Sequence, residues 1–157
     1  EVILNKDFTE MGYMTELLLY ASARAQLVKE NIKPALDAGQ AVIADRFVDS
    51  SAVYQGIGRG LGVDTVYDVN EFALQGIMPD MTFLMDLDAQ EGIARKKNQA
   101  ELDRMENEKM EFHQKVVDGY RMLADMHPER IVKIDATLPI DEIHGIIVGY
   151  VEKKLNL

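Results

Sequence analysis

Apolar residues recur at three- and four-residue steps between Glu10 and Ala38, through Met14, Leu17, Leu18, Ala21, Ala25, Val28 and Ile32, which is the spacing of one helix face. Pro34 falls inside this run and predicts a kink or restart, because it lacks the N–H that a helix interior needs. Gly39 offers a stop, and the short apolar run Ala41-Val42-Ile43-Ala44 predicts a buried strand with Asp45-Arg46 at its C-terminal end. The stretch from Asp49 to Gly62 is polar and glycine-punctuated, and its run Tyr54–Gly60 could be a flexible glycine turn. Val66, Val69, Phe72 and Ala73 then predict a helix over Asp64–Gln75, closed by Gly76 and Pro79. Thr82-Phe83-Leu84-Met85 predicts a second strand, and Asp88 followed by Glu91 resembles a capping box opening another helix. After a charged stretch, Lys96 to Glu108, come a helix marked by Met110, Val117, Tyr120, Leu123 and Ala124 and ending before Pro128, a strand Ile131–Ile134 and a last helix from Asp141 to about Leu155.

Apolar strands alternating with amphipathic helices predict an α/β fold: a parallel sheet covered by helices on both faces, with ligands beyond the C-terminal strand ends. At 157 residues and 47% hydrophobic content, one globular domain spanning 1–157 is expected. Three visible strands are few for such a sheet, so the fold reads as incomplete on its N-terminal side.

Charge narrows the partners. A formal net charge of −10 repels a polyanion over most of the surface, which argues against DNA or RNA but leaves room for a small phosphorylated ligand held by a few local cations. No run approaches the roughly 18 apolar residues of a membrane helix, so no membrane association is expected. The absence of cysteine removes disulfides and thiolate chemistry and fits a reducing cytoplasm.

Four places could supply chemistry. Asp45 at a strand end could hold a Mg²⁺-bound water while Arg46 grips phosphate with a bidentate fork, although the two would equally make a structural ion pair. In Tyr54-Gln55-Gly56-Ile57-Gly58-Arg59-Gly60 the Gln55 amide carries the donor and acceptor that match a pyrimidine's imide edge; as a phosphate loop the run fails, since no Lys-Ser or Lys-Thr follows the last glycine. Tyr20 and Arg24, four apart on the first helix, could stack on a base and bond its carbonyl, or be a core tyrosine beside a snorkelling arginine. Arg95-Lys96-Lys97 and Leu102-Asp103-Arg104 concentrate cations where periodicity fails, which suits a lid over residues 95–107 or an ordinary solvated helix end.

The order of these segments resembles bacterial thymidylate kinase: Thr15-Glu16-Leu17-Leu18-Leu19-Tyr20-Ala21-Ser22-Ala23-Arg24, then Asp45-Arg46-Phe47-Val48-Asp49-Ser50-Ser51, then Tyr54-Gln55-Gly56. It continues through Asn70-Glu71-Phe72-Ala73, Pro79-Asp80-Met81-Thr82, Glu101-Leu102-Asp103-Arg104 and Ile134-Asp135-Ala136, over essentially the whole chain. The resemblance implies a P-loop nucleoside monophosphate kinase fold that transfers phosphoryl from ATP to dTMP. Within it Arg46 would hold the dTMP phosphate, with Asp45 near Mg²⁺ and the reacting phosphates. Tyr20, where the family usually has phenylalanine, would stack on thymine. Arg24 and Gln55 would read the base edge with Ser51 in support, and Tyr54 would press on the deoxyribose. Ala136 and Thr137 would border the adenine of ATP. Arg95, Lys97 and Arg104 would supply lid cations, and a homodimer is implied.

Two departures follow from the resemblance. The lid arginine of some bacterial members aligns near Gln99, leaving Lys97 or Arg104 to supply that charge. The family's strand, glycine-rich loop ending in Gly-Lys-Ser or Gly-Lys-Thr, and following helix come before the point where this chain enters at Glu1. The 157-residue polypeptide as written is therefore expected to lack appreciable kinase activity, even where the full-length protein has it. The same residues also fit a kinase of this fold for another deoxynucleotide, such as dUMP, or a non-catalytic nucleotide-binding module.

Overall fold

The computed structural model describes residues 2–97 and 103–156. Helix α1 spans Tyr13–Leu27 and continues through a π-helical turn, Val28–Ile32, into α2, Lys33–Asp37. The π turn ends two residues before Pro34, where a kink or restart is expected. Pro34 has no N–H and its ring crowds the carbonyl four residues back, and a widened turn accommodates both without ending the helix.

The segment after it departs from expectation twice. Ala41–Ala44 is not a strand, and Ile43 is 98% exposed. A buried strand needs a neighbour to take its backbone hydrogen bonds, and among the described residues none lies beside this run. Asp45 and Arg46 therefore do not cap a strand; they precede α3, Val48–Ser51. Instead of a loose turn, α3 leads into a π-helix, Ala52–Gly58, whose Ala52, Val53, Gln55 and Gly56 are buried. Two glycines here answer to close approach rather than flexibility. A Cβ on Gly58 would lie 2.7 Å from Phe112, and one on Gly56 3.2 Å from the Gly62 carbonyl.

Helix α4, Val63–Leu74, ends on Gln75 and Gly76, both at positive φ. Strand β1, Thr82–Asp86, leads to α5, Ala89–Lys97; α6, Met110–Met126, leads to β2, Ile131–Asp135; and α7, Ile140–Leu155, closes the chain. The two strands pair in parallel, Thr82 opposite Ile131 through Asp86 opposite Asp135. Alternation along β1 separates its two faces. Leu84 packs into the core with Leu17, Val53, Val66, Val116 and Leu123, while Phe83 meets Tyr150 of α7 edge-on at 6.2 Å. Helices therefore lie on both faces, as expected for an α/β fold. Asp88 accepts a hydrogen bond from Arg121 at 3.1 Å.

Candidate functional site

Helix α1, the Phe47–Gly58 segment and α4 converge on Arg24. Its side chain is drawn inside by hydrogen bonds rather than left snorkelling. One terminal nitrogen donates to Asn70 Oδ1, and the other donates to Ser51 Oγ at 2.8 Å and to the Phe47 carbonyl at 3.3 Å. Its guanidinium also lies 5.4 Å from the Phe47 ring centroid. Asn70 is itself fixed, because its Nδ2 donates to the Val66 carbonyl at 2.8 Å and so turns its oxygen to Arg24. At 8% exposure, burial pulls the Arg24 guanidinium below its ordinary pKa, with Asp49 opposing.

Arg46 stands nearby on strained backbone, with φ of 67° at a residue that bears a Cβ. Such strain costs about 1–2 kcal/mol and persists where the surroundings impose it. Its guanidinium covers the Tyr54 ring at 5.2 Å. Tyr54 meets Tyr120 edge-on at 6.3 Å, and the Tyr120 hydroxyl shares a 2.7 Å hydrogen bond with Ser50. Burial pushes the Tyr120 phenol up to about 12.

Tyr20 sits electrically between these groups. Burial raises its pKa first, the Glu16 and Asp103 carboxylates raise it further, and Arg104 and Arg46 oppose them. Tyr20, Arg24, Arg46, Ser51 and Tyr54 are thus brought into one neighbourhood.

Gln55 lies apart from the Arg24 hydrogen bonds. It is 2% exposed, and its Nε2 donates to Glu16 Oε1 at 2.8 Å, so it faces a buried carboxylate and makes no hydrogen bond with Arg24 among the described residues. The partner beside Arg24 is Ser51. The reason lies in the π-helix: four residues on from Ser51, Gln55 reaches α1 one joint lower, at the only carboxylate buried there.

The expected lid cations separate. Arg104 is committed, its Nη2 donating to Glu16 Oε2 at 2.6 Å and its Nε to the Ile3 carbonyl at 2.8 Å. Arg95 pairs with Glu91 and donates to the Ala136 carbonyl at 2.9 Å, which puts it on the loop expected to border adenine. Thr137 in that loop donates from its N–H and hydroxyl to Asp135 at 2.8 and 2.6 Å. The loop edges an open cleft of about 510 Å³ beyond the C-terminal ends of β1 and β2, lined by Asp86, Asp88, Arg121 and Thr137 among others. The Lys97 side chain and Gln99, Glu101 and Leu102 lie outside the described residues. Asp45 is exposed beside Arg46, and no group of three candidate metal ligands occurs among the described residues.

The family model for thymidylate kinase matches residues 1–147. A thymidylate kinase of Geobacillus thermodenitrificans (strain NG80-2) is 49% identical over 157 residues, covering 99% of this chain and 70% of that protein. The chain belongs to the thymidylate kinase family. A thymidylate kinase of Clostridium novyi (strain NT) is 44% identical, with 97% of this chain and 75% of that protein covered. The crystal structure of thymidylate kinase from Ehrlichia chaffeensis matches with a TM-score of 0.64 and 30% identity, over 79% of this chain and 59% of that one. The fold is accordingly that of the α/β nucleoside monophosphate kinases, and the family's reaction is ATP-dependent phosphorylation of dTMP to dTDP. Among the described residues no helix is long and apolar enough to cross a membrane.

Four residues that join this neighbourhood have no role assigned from the sequence: Glu16, Asn70, Arg59 and Tyr120. For Glu16 a signal was present, because Glu16, Tyr20 and Arg24 recur at four-residue steps and share one face of α1. Nothing in the spacing distinguishes Asn70 or Tyr120 from ordinary helix residues.

Proposed function

We propose that the described residues build the dTMP side of a thymidylate kinase active site, in the enzyme that phosphorylates dTMP with ATP. Arg46 holds the phosphate, Tyr20 stacks on thymine, Arg24 and Ser51 read its carbonyl edge, and Tyr54, backed by Tyr120, packs on the deoxyribose. The observation that carries this reading is the Arg24 guanidinium, buried and aimed by Asn70, Ser51 and Phe47. Five N–H donors in a fixed fork leave some available for a base oxygen, and preset geometry lowers the ordering cost of binding. Arg46 on the Tyr54 face adds an exposed cation one short step away.

Arginine donors suit a carbonyl at position four of the pyrimidine and oppose the amino group of cytosine, whereas thymine and uracil differ only by a methyl worth about 1 kcal/mol. Gln55 contributes through Glu16. On the donor side, Ala136 and Thr137 border adenine, and Arg95 and Lys97 offset phosphate charge. Arg104, committed to Glu16, acts by holding Asp103–Glu108 in place. Mg²⁺ fits as an ion carried chiefly by the nucleotide's own phosphates, with Asp45, the chain neighbour of Arg46, to orient it or its water; bound there it would neutralise charge on the phosphates. A cytoplasmic homodimer completes the reading, supported by the exposed apolar side chains Leu18 and Phe72 on α1 and α4.

Calorimetric titration of the full-length protein with dTMP, dUMP and dCMP tests it. Binding in the order dTMP, dUMP, then dCMP is expected; preference for dCMP would remove Arg24 from the base edge.

A further inference from the structure

We propose that Glu16 is a positioning residue for the nucleoside monophosphate: its buried carboxylate holds the helix face that carries Tyr20 and Arg24 in register with the segment that carries Ser51 and Tyr54. The inference rests on the site reading given above. Two polar joints tie α1 to Val48–Gly58. Arg24 Nη2 donates to Ser51 Oγ at 2.8 Å, and Gln55 Nε2 donates to Glu16 Oε1 at 2.8 Å. On α1 the joints are eight residues apart, about 12 Å at the helix rise, and Tyr20 lies midway between them. On the other side Ser51 and Gln55 are four apart, with Tyr54 next to Gln55. Displacing the Glu16 joint therefore moves Tyr20 relative to Tyr54 and Ser51, the groups that would contact base and sugar.

The chemistry around Glu16 is specific. An ionised carboxylate only accepts, so Gln55 must turn its amino group toward it, and the amide's orientation follows from its partner. The same carboxylate accepts from Arg59 Nε at 3.3 Å, Arg59 Nη2 at 3.2 Å and Arg104 Nη2 at 2.6 Å. Arg59 is clamped in turn between the Tyr13 and Phe112 rings, at 4.9 and 4.7 Å, and donates to Glu108 at 2.6 Å. Arg104 is tied by its side chain to the Ile3 carbonyl and by its backbone N–H to the Leu4 carbonyl. Three segments, α1, the stretch carrying Gln55 and Arg59, and the stretch carrying Arg104, thus meet on one fully buried carboxylate. Apolar residues of similar volume hold helices together at equal or lower cost, and what a buried charge cluster adds is fixed registry.

Glu16→Gln in the full-length protein keeps the shape and removes the charge. We expect KM for dTMP to rise about tenfold or more while KM for ATP stays within about twofold, because only the monophosphate side is displaced. On a Tyr20→Ala background the same substitution should raise KM for dTMP by less than about threefold, since the group it positions is gone. If Glu16→Gln lowers the melting temperature but leaves KM for dTMP unchanged, or raises both KM values equally, Glu16 is structural only and the proposal is overturned. Should Glu16→Gln not fold, Glu16→Asp, which keeps the charge and shortens its reach, decides the matter. A selective rise in KM for dTMP supports the proposal and an unchanged value overturns it. Arg24→Gln separates the two levels: if it too leaves dTMP binding intact, the site reading itself fails, whereas if it weakens binding and the Glu16 variants do not, only this inference falls.

Discussion

Replacing Asp49 by asparagine tests the packing that underlies the site. Asp49 follows Arg46 by three residues and accepts from Arg130 twice, at 2.7 and 2.9 Å, from the Thr82 hydroxyl at 2.8 Å and from the Tyr67 hydroxyl at 3.4 Å. It thereby pins α3, which carries Ser50 and Ser51, to the starts of β1 and β2. Both side chains of the Asp49–Arg130 pair are nearly buried, at 6% and 13% exposure. Asparagine keeps the shape but faces an amino group toward the guanidinium, leaving a buried cation without its counter-charge; breaking such a pair costs about 3–5 kcal/mol. For a domain of this size each kcal/mol moves the melting temperature by about 2–4 °C, so a fall of about 6–20 °C is expected. Asp88→Asn is the internal control, because its partner Arg121 is 37% exposed and pairs of that kind contribute about 0–1 kcal/mol. Thermal and urea melts of both variants, with unchanged m-values, give the comparison. A loss in Asp49→Asn no larger than in Asp88→Asn would refute the reasoning.

Gly58→Ala should destabilise by about 1–3 kcal/mol, because its Cβ would meet Phe112 at 2.7 Å and that ring is held against Arg59; a urea midpoint equal to wild type would show that the ring yields freely. Tyr67 and Tyr120 are both pushed up to about 12, chiefly by burial. Since the unfolded chain releases these protons near 10, their contribution is complete below that pH and is lost as pH rises toward 12, and a near-ultraviolet titration showing every phenol ionising at its ordinary pH would contradict this. Burial works to raise the Glu16 pKa, but hydrogen bonds from Gln55, Arg104 and Arg59 leave it below its ordinary value. Its contribution to stability is present above the unfolded carboxylate pKa and is lost as pH falls through the folded one, so Glu16→Gln should flatten the acid side of the stability profile; an unchanged slope would argue against an ionised Glu16.

The helices were legible because their apolar steps are long and regular. β1 and β2 were legible because each is a compact apolar run bounded by turn residues. The run Ala41–Ala44 is likewise short and apolar yet forms no strand, since a strand is a property of a pair and sequence pattern reports only one member. The helical character of Ala52–Gly58 was hidden by its two glycines, which read as loop punctuation but serve close packing against Gly62 and Phe112. Within the site, motif order placed Tyr20, Arg24, Arg46, Ser51 and Tyr54 together. What it missed was partner choice. Gln55 and Arg104 carry the groups expected of ligand contacts, but a buried Glu16 competes for both, and only the three-dimensional arrangement shows which acceptor is nearer.

The central claim is that Arg46 holds the monophosphate of a nucleotide whose base lies against Tyr20 and Arg24. Calorimetric affinities of dTMP and of thymidine for wild-type protein and for Arg46→Gln test it most directly. The account predicts that wild type binds dTMP far more tightly than thymidine, that the variant binds the two nearly alike, and that thymidine affinity is unchanged. A variant that keeps the full preference for dTMP would contradict it.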